Sequence, residues 1–382
     1  MGNYFFLQVF TVIFALSIAT TIFNKRILGF PQAIGVPIVS AIFVFILQWG
    51  ASLLSGNQFI TINIHNIEEA VRHIDFYDFL INGVICFILT SSALKFKVSD
   101  LRSYWKPISI LASIALVLCA VFFGVVLYGY QFIIGQHVDL LVLLLLGAAL
   151  GATDPIGIKG VLSSVRAPHH LMVKLEGESL FNDAMCIALF MTLLNVLQGE
   201  NFTVMGVLQT LLYEIFVAVI IGWAFGLGIL RLLRGKHEME SLILTTALLA
   251  CGSYLVALFA HASAPIACVI GGLIVGNKWK EILQEREIRE VNHFWHTVEG
   301  IINSFLFTLI GLELFILDLS FSLIFGGIVA FIILHASRFA ANYLSFAFFP
   351  SFRKKSYNGS LAILSWGGVR GGISLALILA VA

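Results

Sequence analysis

The sequence predicts an all-α membrane protein, a polytopic helical bundle with inverted-topology repeats and two broken crossing helices. Three observations carry that prediction. First, 59% of the 382 residues are hydrophobic and only 11% are charged, whereas soluble domains carry about 25% charged residues. Second, apolar runs close to the roughly 20 residues that cross a bilayer as a helix recur along the whole chain, and they are too long and continuous for barrel strands. Third, two of these runs are interrupted by glycines, one with a proline, around a charged residue: Gly151-Ala152-Thr153-Asp154-Pro155 and Gly367-Gly368-Val369-Arg370-Gly371-Gly372.

Taken in order, the membrane segments fall at about 4–23, 34–54, 77–94, 107–132, 139–162, 178–197, 203–233, 241–260, 264–276, 298–317, 320–347 and 359–382. The first has no basic residues ahead of it and reads as a spanning helix, not a cleaved signal. The ninth is short enough to be re-entrant or tightly packed. The last ends without a basic flank or polar tail, so twelve spans are visible and a thirteenth is expected, as for a truncated chain.

Lysine and arginine set the orientation. Of the 22 basic residues, all but Arg72, Arg338 and Arg370 fall in loops after odd-numbered segments, among them Lys174 after the fifth. This places those loops in the cytoplasm and the N-terminus outside, in the cell (inner) membrane. The stretch Lys278–Arg289 mixes both signs and reads as a solvated cytoplasmic helix.

The two interrupted segments are the fifth and the twelfth. Seven is an odd separation, so if the second half repeats the first it does so upside down. Interrupted helices at matching positions of inverted halves mark the binding site of secondary transporters. The expected organisation is a single transmembrane domain over 1–382, with a first repeat at about 1–200, a linking helix at about 203–233 and a second repeat at about 238–382.

The chemistry follows from the charges. A carboxylate at the bilayer centre costs on the order of 2.5–3.5 kcal/mol, and such residues usually mark ion paths or proton relays. Pro155 pushes Asp154 out of helical angles and frees carbonyls, such as that of Thr153, to face a cavity. Hard cations take oxygen ligands. In the following segment Ser179 and Asp183 form an i, i+4 pair on one helix face, with Glu178 and Asn182 beside them. Burial favours a protonated carboxylate and a bound cation an ionised one, so Asp183 is the expected exchangeable group. Arg370 needs an anionic partner, and Glu178 is the expected one, in a structural ion pair. Asp154 has a competing reading as a cap on a broken helix. Glu214, Glu299, Glu313 and Arg338 sit near segment ends and are expected to snorkel, and His261 and His335 to be packed or interfacial.

The remaining composition narrows the function further. A net charge of +1 gives no case for nucleic-acid binding. The five cysteines, Cys86, Cys119, Cys186, Cys251 and Cys268, form no C-x-x-C pair, and there is no H-E-x-x-H, so no disulfide framework, zinc site or cofactor is expected.

Thr153-Asp154-Pro155, Glu178-Ser179, Asn182-Asp183 and the glycine-rich run around Arg370, in this order, resemble the sodium/proton antiporters of the cation:proton antiporter-1 family. The resemblance covers essentially the whole chain. It implies a thirteen-helix inverted-repeat fold, a homodimer and an elevator-like motion of a core domain. It implies a site for Na⁺ made by the Thr153 carbonyl, Ser179 and Asp183, with Asp154 close by, and it implies the Glu178–Arg370 pair. The chain departs from the family where relatives often carry an acidic residue on the third helix, since Ser91 stands there.

The expected function is exchange of Na⁺ or Li⁺ for H⁺, electroneutral at one to one because Asn182 cannot carry a proton. A K⁺/H⁺ antiporter of the same fold is the alternative. An intramembrane aspartyl protease fits less well, because Asn182-Asp183 lacks a Gly-x-Gly-Asp context. A channel fits less well for want of a filter-like sequence.

Overall fold

The computed structural model describes residues 5–53, 79–153, 168–199, 203–235, 238–313, 320–348, 358–368 and 370–379. Every regular element among them is helical. Among the described residues six runs are long and apolar enough to cross a membrane: Thr11–Leu28, Val98–Ile133, His169–Leu197, Met205–Leu232, Met239–Phe259 and Phe321–Ala347. Shorter apolar helices lie at Ile34–Phe43, Leu80–Lys95 and Leu140–Ala149.

The helices sort into two packed bodies. The first contains α1 (Phe5–Phe23), α2 (Gln32–Leu53), α3 (Ile85–Lys95), α8 (Val204–Leu232), α9 (Met239–Phe259), α10 (Ala264–Lys278) and α11 (Glu285–Glu313). The second contains α4 (Val98–Ile110), α5 (Leu116–Ile133), α6 (Leu140–Ala149), α7 (His169–Leu197), α12 (Phe321–Phe348), α13 (Asn358–Trp366) and α14 (Gly372–Leu379). Contacts within each body are dense. Between the bodies they run mainly from α7 to α8 and α10, and from α14 to α11.

Small residues set the closest approaches. At the α3–α10 crossing, a Cβ on Gly276 would overlap the carbonyl oxygen of Leu94, so only glycine lets these backbones meet. The ninth segment, expected to be re-entrant or tightly packed, is the full fifteen-residue helix α10, and most of it is buried.

Three helical runs start earlier than the hydrophobic runs suggest. The fourth segment, expected from 107, lies in the run Val98–Ile133, whose first helix is α4. The sixth segment, expected from 178, is α7 from His169, directly after Pro168. The hydropathy of its first turns is lowered by Lys174, Glu176 and Glu178, yet Lys174 and Glu178 are 1% and 2% exposed. Lys174 is therefore no loop residue, and its Nζ lies 5.5 Å from the centre of the Tyr104 ring, as in cation–π contacts. The tenth segment, expected from 298, is α11 from Glu285. Its first turns are charged, with Arg286–Glu290 and Arg289–Glu285 pairs at i, i+4, 2.8 and 3.4 Å apart.

Both expected interruptions that can be followed are present. Helix α6 ends at Ala149; Leu150 N still donates to Leu146 O and Gly151 N to Ala148 O, and residues 152–153 continue outside any helix. Asp154 and Pro155 lie outside the described residues. In the twelfth segment α13 ends at Trp366 and α14 begins at Gly372.

Candidate functional site

The site forms where the two interruptions meet α7. A stripe of short polar side chains on α7, repeating every three to four residues, faces the end of α6. Asn182 Nδ2 donates to Gly151 O at 2.9 Å and to Thr153 Oγ1 at 3.3 Å. The Thr153 and Ser179 hydroxyls are 3.1 Å apart. Cys186 Sγ donates to Ala148 O at 2.9 Å. From the other interruption, Arg370 Nη1 donates to Gly151 O and Ala152 O at 3.1 and 3.3 Å, and Ser374 Oγ to Ala152 O at 3.3 Å.

The carbonyls released by the end of α6 are thus taken up by side chains from elsewhere. Backbone polar groups at membrane depth must be satisfied inside the protein, and this is how the chain meets that demand. Asp183 is buried, 9% exposed, one helical turn from Ser179. Thr153, Ser179 and Asn182 are buried to 3% exposure or less.

The ion pair differs from the sequence expectation. Arg338, not Arg370, meets Glu178: Arg338 Nη2 lies 2.6 Å from Glu178 Oε1, with both side chains buried, and also donates to Leu364 O at 3.3 Å. Arg370 is instead spent on the carbonyls of Gly151 and Ala152. The guanidinium of Arg338 reaches Glu178 by passing over Gly368, where a Cβ would sit 2.5 Å from Arg338 Cζ and Nε. The glycine-rich interruption is therefore the groove in which Arg338 lies. Arg338 does not snorkel, because it sits in the middle of α12 and has a buried counter-charge.

Sequence reasoning missed Arg338, Cys186 and Ser374 as parts of this cluster. For Arg338 a signal was present. Arg338, Asn342 and Ser345 repeat at i, i+4, i+7, a helical polar face, and all three are buried. Asn342 Nδ2 also donates to Ser365 Oγ at 3.1 Å.

Ser91 belongs to a different cluster. It is fully buried on α3 and donates to Glu299 Oε2 at 2.9 Å, and that oxygen lies 2.5 Å from Lys95 Nζ. Glu299 on α11 thus supplies a carboxylate beside Ser91, and it is tied into an ion pair, not snorkelling. The His335 ring bonds Phe331 O and packs on Trp366, so it is a packing residue. The side chain of Glu313 lies outside the described residues. Among the described residues no group of three or more His, Cys, Asp or Glu could hold a metal ion.

Comparison with known proteins agrees with this architecture. Residues 12–382 match the family described as sodium/hydrogen exchanger, transmembrane. The chain is 35% identical over 373 residues to the Na⁺/H⁺ antiporter NhaP of Pseudomonas aeruginosa, covering 96% of this chain and 86% of that protein. It is 30% identical over 327 residues to the Na⁺/H⁺ antiporter NhaH of Halobacillus dabanensis, covering 82% and 77%. Its fold is similar to that of the sodium proton antiporter MjNhaP1 from Methanocaldococcus jannaschii at pH 8, with a TM-score of 0.73 at 16% identity, over 99% of this chain and 86% of that one. With its spanning helices, its two interrupted segments and a family match along nearly its whole length, the chain belongs to the sodium/hydrogen exchanger family of integral membrane transporters, which are not enzymes.

Proposed function

We propose that this protein exchanges Na⁺ for H⁺ across a cell membrane, with cation and proton competing for Asp183. The observation that carries the reading is one buried carboxylate, a helical turn from the Ser179 hydroxyl and beside an unwound stretch rich in oxygen atoms. Asp183 binds a proton when the site is empty of cation and releases it as Na⁺ arrives, because the ion favours the charged carboxylate. Thr153, Ser179 and Asp183 supply the oxygen ligands, Asn182 holds the unwound stretch in place, and Asp154 completes the site.

The names of the relatives support Na⁺ as substrate, and Li⁺, a hard monovalent cation too, fits the same oxygens. With Asn182 neutral and Glu178 paired to Arg338, Asp183 alone changes charge, so exchange is one for one and electroneutral. Inverted repeats at about 1–200 and 238–382 give alternating access as one body moves against the other, in a homodimer. The same oxygens would serve a K⁺/H⁺ exchanger, so the assay spans three ions.

The test is cation-induced proton efflux in proteoliposomes, scanned across Na⁺, Li⁺ and K⁺ and across pH. Na⁺ should drive proton movement, with a half-saturating concentration that rises as pH falls. Asp183→Asn should abolish exchange while the protein still folds. Normal Na⁺-driven proton movement in that variant would sink the assignment.

A further inference from the structure

Behind the cation site lies a small cavity of about 10 Å³, walled by Cys119, Gly151, Glu178, Asn182, Arg338 and Asn342. That is on the order of the smallest space that holds one water. Three of the wall residues carry a buried polar atom with no protein hydrogen-bond partner among the described residues: Glu178 Oε2, Asn182 Oδ1 and Arg338 Nε. Glu178 Oε1 is engaged with Arg338 Nη2, and Asn182 Nδ2 with Gly151 O and Thr153 Oγ1. All three residues are more than nine-tenths buried.

The three atoms specify their ligand. Two are acceptors and one is a donor. A cation would face a guanidinium, and an anion would face two acceptor oxygens. A water donates twice and accepts once, which matches the set and the roughly three hydrogen bonds that buried waters make. We infer that this cavity is a binding site for one ordered water, which bridges the Glu178–Arg338 ion pair to the Asn182 amide.

This gives the ion pair a positioning part in the transport reaction, resting on the reading of Asp183 as the exchanging group. The water fixes Asn182 Oδ1, so that Asn182 Nδ2 stays aimed at Gly151 O and Thr153 Oγ1. The unwound stretch that offers oxygens to Na⁺ is thereby held from behind. Glu178 and Arg338 act on the cation through this link without touching it.

Two measurements test the inference. A structure of the purified protein at a resolution that shows waters should contain one peak within about 3.2 Å of Glu178 Oε2, Asn182 Oδ1 and Arg338 Nε. No peak, or a peak reaching only one of the three, overturns the site. The second measurement uses Ala115, which also lines the cavity. Ala115→Val fills the space and displaces the water, so the half-saturating Na⁺ concentration in proteoliposomes should rise about fivefold while the maximal rate stays within twofold. Ala115→Ser places a hydroxyl there that substitutes for the water, and its half-saturation should stay near wild type. If both variants keep wild-type half-saturation, the water does not position the site. If both shift equally, packing and not hydrogen bonding governs the effect, and the inference is again overturned. Should Ala115→Val fail to fold, Cys119→Val repeats the test from another wall of the same cavity. Absence of any Na⁺-driven exchange by the wild type would instead refute the function proposed above and leave the first measurement standing.

Discussion

At the scale of single residues, the charges inside the bundle are arranged by who can reach whom, and sequence placed only some of them. The i, i+4 spacing put Ser179 with Asp183 and Glu178 with Asn182, and α7 keeps all four buried. The need of a buried arginine for a counter-charge was legible too, but two arginines compete for one Glu178. Which one wins depends on the packing of α12 against α13, and linear spacing does not carry that information. Removing one member of a buried ion pair leaves the other uncompensated, at a cost of about 3–5 kcal/mol. Arg338→Ala and Glu178→Gln should each lower the thermal stability of the purified protein, and the double variant should lose clearly less than the two singles combined. Strict additivity in that double-mutant cycle would mean the pair makes no net contact in solution. Arg370→Ala combined with Glu178→Gln should be closer to additive, because Arg370 serves the carbonyls of Gly151 and Ala152.

At the scale of elements, hydropathy found the helices and misplaced three of their starts, those of α4, α7 and α11. Both α7 and α11 begin in polar turns that extend the apolar run, nine and thirteen residues early in the two cases. Polarity in a window reads as a loop, whereas here it is a buried cation–π contact on α7 and a solvated face on α11. The interruptions were legible because glycine and proline are breakers whatever surrounds them. Close helix contacts were not, because a glycine in an apolar run does not announce what it faces. Gly276 and Gly129 make the point. A Cβ on Gly276 would run into the Leu94 carbonyl, whereas one on Gly129 would meet nothing within 4 Å. Gly276→Ala should therefore destabilise the protein by about 1–3 kcal/mol, as overpacking does. Gly129→Ala should be neutral, or slightly stabilising because alanine is the better helix former. Thermal unfolding in detergent reads both, and equal effects at the two positions would refute the close approach of α3 and α10.

At the scale of the whole molecule, the two bodies meet along few helices, mainly α7 against α8 and α10. The alternation of basic loops pointed to an ordered set of crossings, but the division into bodies arises only from tertiary contacts between segments far apart in the chain. The charge inventory of the site sets how the whole cycle responds to voltage. If Asp183 alone switches between proton and cation, as proposed, both loaded forms carry equal charge. The membrane potential, about 2.3 kcal/mol per elementary charge per 100 mV, then does no work on transport. In proteoliposomes clamped at different potentials, once K⁺ is excluded as a substrate, rate and end point should not move with voltage. A voltage-dependent end point would overturn one-for-one exchange.

The shared hold on the end of α6 also dictates an order of assembly. The carbonyl of Ala152 accepts from Ser374, 222 residues further along, and that of Gly151 accepts from Asn182 and from Arg370. During synthesis, α7 reaches the membrane long before α14 does. Until then α7 alone grips the end of α6, through Ser179, Asn182 and Cys186, and Ala152 O waits without Ser374 and Arg370. The proposed cation site therefore gains its full set of hydrogen bonds only when α14 arrives. A nascent chain released before Arg370 would carry every ligand proposed for Na⁺ and still lack the clamp that Arg370 and Ser374 put on Gly151 and Ala152.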